Sequence, residues 1–185
     1  IAAMVLMANG KQQLSVSQPV LLYDDGGPEG KISNNFEGTY TFLPTTLGSK
    51  VAIDMRNISI FYNSSAVSVG NQDILAVYDG MEAVADSLLY VVQAEKLDSL
   101  ILHSTAKSGA LTVYLRSKTP SSNYQGEGFK ATLSEFVPQA MVVESAAVSK
   151  PTSTPAACST AVEALAFTLK AQHTEPALVP ASFTF

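Results

Sequence analysis

The chain has 185 residues, 46% of them hydrophobic and only 15% charged, with a formal net charge of −5. That length holds one domain of ordinary size and a remainder, and an acidic balance with no basic run longer than two residues excludes nucleic acid and disfavours anionic lipid. The lone Cys158 excludes an internal disulfide framework and a cysteine-rich zinc site, and no apolar run approaches the ~18 residues that span a membrane as a helix.

Strand-like alternation and turn punctuation run through the first 138 residues. Ile1–Ala8 reads as a first strand; a signal-peptide remnant is the alternative. Asn9-Gly10 is a strong hairpin signal, with Leu14, Val16 and Val20 continuing beyond it. Pro19 suggests an edge position. Asp24-Asp25-Gly26-Gly27-Pro28 is a dense turn. Thr39–Leu43 is β-branched and aromatic, and Val51, Ile53 and Met55 alternate with polar residues as in a half-buried strand. Ile58, Ile60 and Tyr62 read as a further strand or as the far side of a bulge. Ile74–Tyr78 is a short apolar strand closed by Asp79-Gly80. Met81–Asp98 reads as a loop with one short strand around Tyr90. Leu100–His103, Leu111–Leu115 and the alternating Phe129–Ser134 complete the pattern. Eight or more short strands in ~130 residues predict an all-β sandwich.

The composition changes after Pro138. Residues 139–160 are expected to be a linker, rich in Ala, Ser, Thr and Pro from Ser145 onward. Strand-like residues return in 161–185, the expected start of a second β domain. Its two or three strands are too few for a stable core, so the reading is an incomplete domain or strands that pair with another chain.

Several segments stand in a recognisable order: Gly26-Gly27, Gly30–Phe36, Tyr40–Phe42, Val51–Ile60, Asp73–Gly80, Leu111–Ser117 and Gly128–Ala131. Together, over residues 20–137, they resemble a CUB domain, an extracellular antiparallel β-sandwich of jelly-roll type. With the preceding Met7–Gly10 and Tyr23–Gly27 the chain is similar to the bridge-free CUB-like modules of Bacteroidetes-type secreted and surface proteins. Val162–Phe185 resembles the start of the β-sandwich that precedes the propeller of BNR-repeat sialidases. The first resemblance implies a secreted or cell-surface location, at a bacterial outer membrane or outside the cell. It also implies a role in binding rather than catalysis.

The CUB resemblance raises calcium. Many of these domains hold it with a Glu, a central Asp and a second Asp, and calcium wants six to eight oxygens. Here the central acid is Asp73, while the other two positions fall near Phe61 and at Lys118. Asp73 is therefore read as a remnant of that site that caps a turn or partners Lys118, and no cofactor is expected.

No catalytic residue is assigned. His103 and His173 are the only histidines and neither accompanies a nucleophile motif. Glu127 and Glu135 read as ordinary exposed strand acids. The strand tyrosines read as half-buried, whereas Tyr124 with Asn123 stands in a polar loop, Thr119–Gly126, where sandwich domains bind ligands. Asn123, Tyr124, Asp24 and Asp25 are thus the candidate contact residues. The function expected is a non-catalytic binding or assembly module of a multidomain surface protein, contacting protein or glycan through loops and sheet edges. The alternatives are an accessory region of a secreted hydrolase, sialidase or peptidase, and a structural subunit whose C-terminal strands pair with a partner chain.

Overall fold

A computed structural model describes residues 2–60, 73–92, 96–118 and 126–138 in full, and the strand backbones of 142–149 and 166–172. The chain divides into two compact units, 1–138 and 139–185.

The first unit is built from β1 (Ala3–Leu6), β2 (Gly10–Val16), β3 (Val20–Tyr23), β4 (Glu37–Pro44), β5 (Lys50–Ser59), β6 (Ile74–Asp79), β7 (Leu88–Val92), β8 (Lys96–His103), β9 (Leu111–Arg116) and β10 (Gly128–Phe136). These strands form two five-stranded sheets. Sheet I has the order β1-β3-β10-β5-β8 and sheet II the order β2-β4-β9-β6-β7. Alternation along each strand sends one set of side chains inward. Leu22, Ile53, Met55, Ala131 and Leu133 from sheet I meet Phe42, Leu75, Val77, Leu111, Val113 and Leu115 from sheet II, all essentially buried. Within that layer the rings of Tyr40 and Phe42 stack at 4.5 Å. The expected all-β sandwich is what forms.

The front of the chain differs from expectation. Asn9-Gly10 does not close a hairpin. β1 joins sheet I in parallel with β3, and β2 joins sheet II in parallel with β4, so the chain changes sheets between Met7 and Gly10. The sandwich is therefore not wholly antiparallel, although every other pairing is. A local turn signal says that the chain turns, not which sheet the next strand joins. Asn9 has a different task here: its Oδ1 accepts the Glu37 amide at 3.0 Å, fixing the crossing to the start of β4. Pro19 does not mark an edge either. β3 lies between β1 and β10, and Pro19 stands one residue ahead of it, where the ladder does not need its missing N–H.

One further reading is corrected, and one is decided between its alternatives. Met81–Asp98 is not a loop with one strand: after a single 3-10 turn at Ala85–Ser87 it holds all of β7 and the start of β8. Of the two readings of Ile58, the bulge is the one that forms: Ile58 belongs to the same strand as Val51, on the far side of that bulge. The register of β5 against β10 shifts there, and Asn57 takes a positive φ of 52°.

In the second unit, β11 (Val142–Ser149) pairs antiparallel with β12 (Ala166–Gln172). The segment expected to be linker, 139–160, thus contributes a strand in its first half. Its β-branched Val142, Val143 and Val148 suit a strand despite the Ala and Ser between them.

Candidate functional site

The sandwich has two ends. At one, β3 finishes beside the start of β10, with Tyr23 opposite Lys130. The turn after Tyr23 is organised by Asp24, which is 1% exposed. Its Oδ1 accepts the Gly26 amide at 2.8 Å and its Oδ2 the Phe129 amide at 3.3 Å. Burial pushes the Asp24 carboxyl up to about 6, against the pull of those two amides, and the neighbouring Asp25 charge adds to the rise. Gly128 makes room for this carboxylate. Its φ is +99°, and a Cβ there would overlap Oδ2 and lie 2.8 Å from Cγ. Asp25 turns outward, its Oδ1 accepting the Ser33 amide at 3.2 Å. An exposed Lys31–Glu127 pair at 3.0 Å and an Ile32 amide bond to Gly126 O tie the same turn to the approach of β10.

Asp73 lies at this end too, fully buried, with Oδ1 accepting the Lys118 amide at 2.9 Å. It therefore meets the Lys118 backbone, one of the two roles expected of it. Among the described residues, Asp73 already holds an amide with one oxygen and the Lys118 position brings no carboxylate, a poor fit to an ion that takes six to eight oxygens. Among the described residues no three of His, Cys, Asp and Glu gather where an ion could sit. Asn123 and Tyr124, the other candidate contacts, lie outside the described residues, as does Phe61.

The opposite end is held by two acids that sequence spacing does not single out. Asp79, at the end of β6, accepts the Ser104 hydroxyl at 2.8 Å, the Thr105 amide at 2.9 Å, the Thr105 hydroxyl and the Ala106 amide at 3.0 Å. Partial burial pushes this carboxyl up, but the combined donors of Thr105, Ala106 and Ser104 outweigh it and hold it below the usual carboxylate range. Glu135 on β10 is not an idle surface acid. It accepts the Thr46 amide at 2.8 Å and the Thr45 hydroxyl and amide at 2.7 and 2.9 Å. Those donors, from Thr46 and Thr45, bring it down to about 2. The Lys50 ammonium adds a bond to Ala106 O.

His103 sits edge-on to Phe136, with ring centroids 5.7 Å apart, in keeping with a structural part. Of the strand tyrosines, Tyr23, Tyr78, Tyr90 and Tyr114 are half-buried. Tyr114 donates to Glu37 Oε1 at 2.9 Å. Burial, then that bond and the Glu37 charge, push its hydroxyl up to about 12.

No protein-family model matches the chain, and no curated protein matches it. Solved structures give loose likenesses. The CUB1-EGF-CUB2 domains of rat MASP-1 are similar at TM-score 0.46 and 14% identity, over 68% of this chain and 42% of that one. The full extracellular region of zebrafish Gpr126/Adgrg6 is similar at 0.43 and 13%, over 75% of this chain and 15% of that one. The pre-peptidase C-terminal domain of collagenase from Bacillus anthracis is similar at 0.35 and 15%, over 69% of this chain and 96% of that one. Likeness this loose carries no chemistry across, and the fold rests on the strand pairings above. No helix among the described residues is long and apolar enough to cross a membrane.

Proposed function

We propose that this chain is a non-catalytic binding module of a secreted or cell-surface multidomain protein. The observation that carries this reading is how its acids are spent. Asp24, Asp73, Asp79 and Glu135 all accept backbone amides that fix turns at the two ends of the sandwich. A general base or nucleophile partner has to be within hydrogen-bond reach of its substrate, and carboxylates committed to four turns build a rigid scaffold instead. The turn Asp24–Gly30, together with Asn123 and Tyr124, is the contact surface in this reading. Protein and glycan are its two classes of partner.

The test is biolayer interferometry of the whole chain against panels of purified extracellular proteins and polysaccharides, alongside peptidase and glycosidase assays on the same preparation. Saturable binding weakened by Tyr124→Ala or Asn123→Ala supports the reading. Turnover of any substrate by the purified chain overturns it.

A second reading is favoured by the β11–β12 pair. A two-stranded ribbon is marginal by itself and gains stability when a third strand or a packed face is added. In this reading, a partner chain adds to one of its edges. Light scattering of the chain with and without residues 139–185 tests it: a concentration-dependent assembly lost on deletion supports it, and a monomer in both cases removes it.

A further inference from the structure

The outward face of sheet II carries a feature that the end-on contact surface leaves unused. Register places Lys11, Thr39, Tyr114, Ala76 and Val91 in a single row across all five strands. At the usual strand spacing the row is about 19 Å long. The next row includes Thr41, Thr112 and Tyr78, and the chain after β6 rises over it. Thr112 Oγ1 donates to Gly80 O at 2.8 Å and lies 3.0 Å from Thr41 Oγ1, so both threonines are buried beneath that loop. The loop makes a wall along one side. Along the other run Glu37, Arg116 and Ile74.

The floor between them is not flat hydrocarbon. Ala76 alternates away from the core yet is 1% exposed, and register sets Tyr114 and Val91 on either side of it, with Ile74 and Tyr78 two residues away along its own strand. Tyr114 also reaches diagonally along the sheet to Glu37, so its ring lies over the surface instead of standing out from it. Only one of the four acceptor sites of the Glu37 carboxylate is used by that bond. The large exposed apolar residues in this region, Met81, Val84 and Leu88, sit on the wall and its far edge, not on the floor.

We propose that this trough is a binding site for a linear oligosaccharide. Sugars present apolar C–H faces rimmed by hydroxyls, and they need a ring to lie against with charged or amide groups beside it. Tyr114 supplies the ring; Glu37, Lys11 and Gln13 supply the hydrogen-bonding groups. An extended peptide would instead seek backbone partners, which a sheet offers at its edges and not on its face. The inference rests on the reading of this chain as a binding module and names a ligand class and a surface for it.

The experiment is an NMR titration of the whole chain with linear hexasaccharides of β-1,4-linked glucose, N-acetylglucosamine, xylose and mannose, to about 10 mM each. The expected result is saturable shifts of the Thr39, Ala76 and Tyr114 amides with at least one of them. Tyr114→Ala should weaken binding about tenfold or more, and Tyr114→Phe less, because it keeps the ring. Thr39→Arg, directly opposite Tyr114, fills the trough while leaving the ring itself in place; it should abolish binding and decides the matter if Tyr114→Ala fails to fold. No saturable shift with any of the four overturns the proposal. So does sugar binding that maps to Asp24–Gly30 and survives both substitutions, or a preference of this face for peptide; these two outcomes leave the binding-module reading standing.

Discussion

The two ends of the sandwich use the same chemical group to opposite effect. At one end Asp24 is almost wholly buried with amides from Gly26 and Phe129, and burial wins: the carboxyl rises to about 6. At the other end Asp79 and Glu135 each face three or four donors with more water nearby, and the donors win. What decides whether a carboxylate steadies a turn is the ratio of donors gained to water lost, not the presence of an acid. The end that holds the expected contact surface is thus built on a strained group, and the opposite end on relaxed ones.

The sharpest way to break the comparison is Gly128→Ala. It forces a side chain into a positive-φ residue and into the Asp24 carboxylate together, and should cost about 3–4 kcal/mol in urea unfolding. A cost under about 1 kcal/mol would mean that Asp24 is not confined as described. Next comes Asp79→Ala, which strips the acceptor from Ser104, Thr105 and Ala106. About 2–3 kcal/mol should be lost, since charged hydrogen bonds to backbone are among the stronger ones. Hydrogen exchange should quicken at Thr105 and Ala106 before it does in the core strands.

How much of this was readable without a structure follows from the range of each signal. β4, β5, β9 and β10 alternate clearly between apolar and polar residues, and each forms where its pattern lies, as does the short apolar run of β6 bounded by Asp79-Gly80. β7 and β8 are harder because Leu88–Val92 is a continuous apolar run and β8 starts on the charged Lys96. The parallel insertion of β1 and β2 is invisible locally, because the partner strands β3 and β4 lie elsewhere in the chain. The same holds for the site. Asp73 was found through its motif, and its amide partner Lys118 is 45 residues away. Asp79 meets Ser104, Glu135 meets Thr45 and Tyr114 meets Glu37 across 25 to 90 residues. Spacing in a β fold does not encode such meetings; register does.

The comparison is sharpened by pH. Asp24 has a folded value near 6, above the ordinary 3.8, so the folded state binds its proton more tightly than the unfolded state does. Below about pH 4 both states are protonated and the group costs nothing. As pH rises from about 4 to about 6 the unfolded carboxyl ionises while the folded one still holds its proton, so stability should fall by on the order of 2–3 kcal/mol across that window and level off above it. Asp79 and Glu135 act in the opposite sense: their stabilisation is present at neutral pH and is lost as pH drops from about 4 toward 2. Urea midpoints should therefore peak near pH 4, with the neutral-side loss largely complete by about pH 6. Asp24→Asn should flatten the neutral side of that peak and leave the acid side alone. A midpoint that climbs steadily to pH 7 in the native chain would show that Asp24 keeps its ordinary affinity for protons.

The smallest effect is expected from Glu135→Gln. The carboxylate is well solvated, so most of what its hydrogen bonds gain over water is modest. The amide keeps one acceptor oxygen and can still hold either Thr45 or Thr46, but not both with equal strength. Stability at neutral pH should drop by less than for Asp79→Ala. The telling readout is acid: the substitution should remove part of the loss between pH 4 and 2 while the neutral side of the peak is untouched. If acid sensitivity is unchanged, Glu135 is not the group that titrates low, and the relaxed end of the sandwich depends on Asp79 alone.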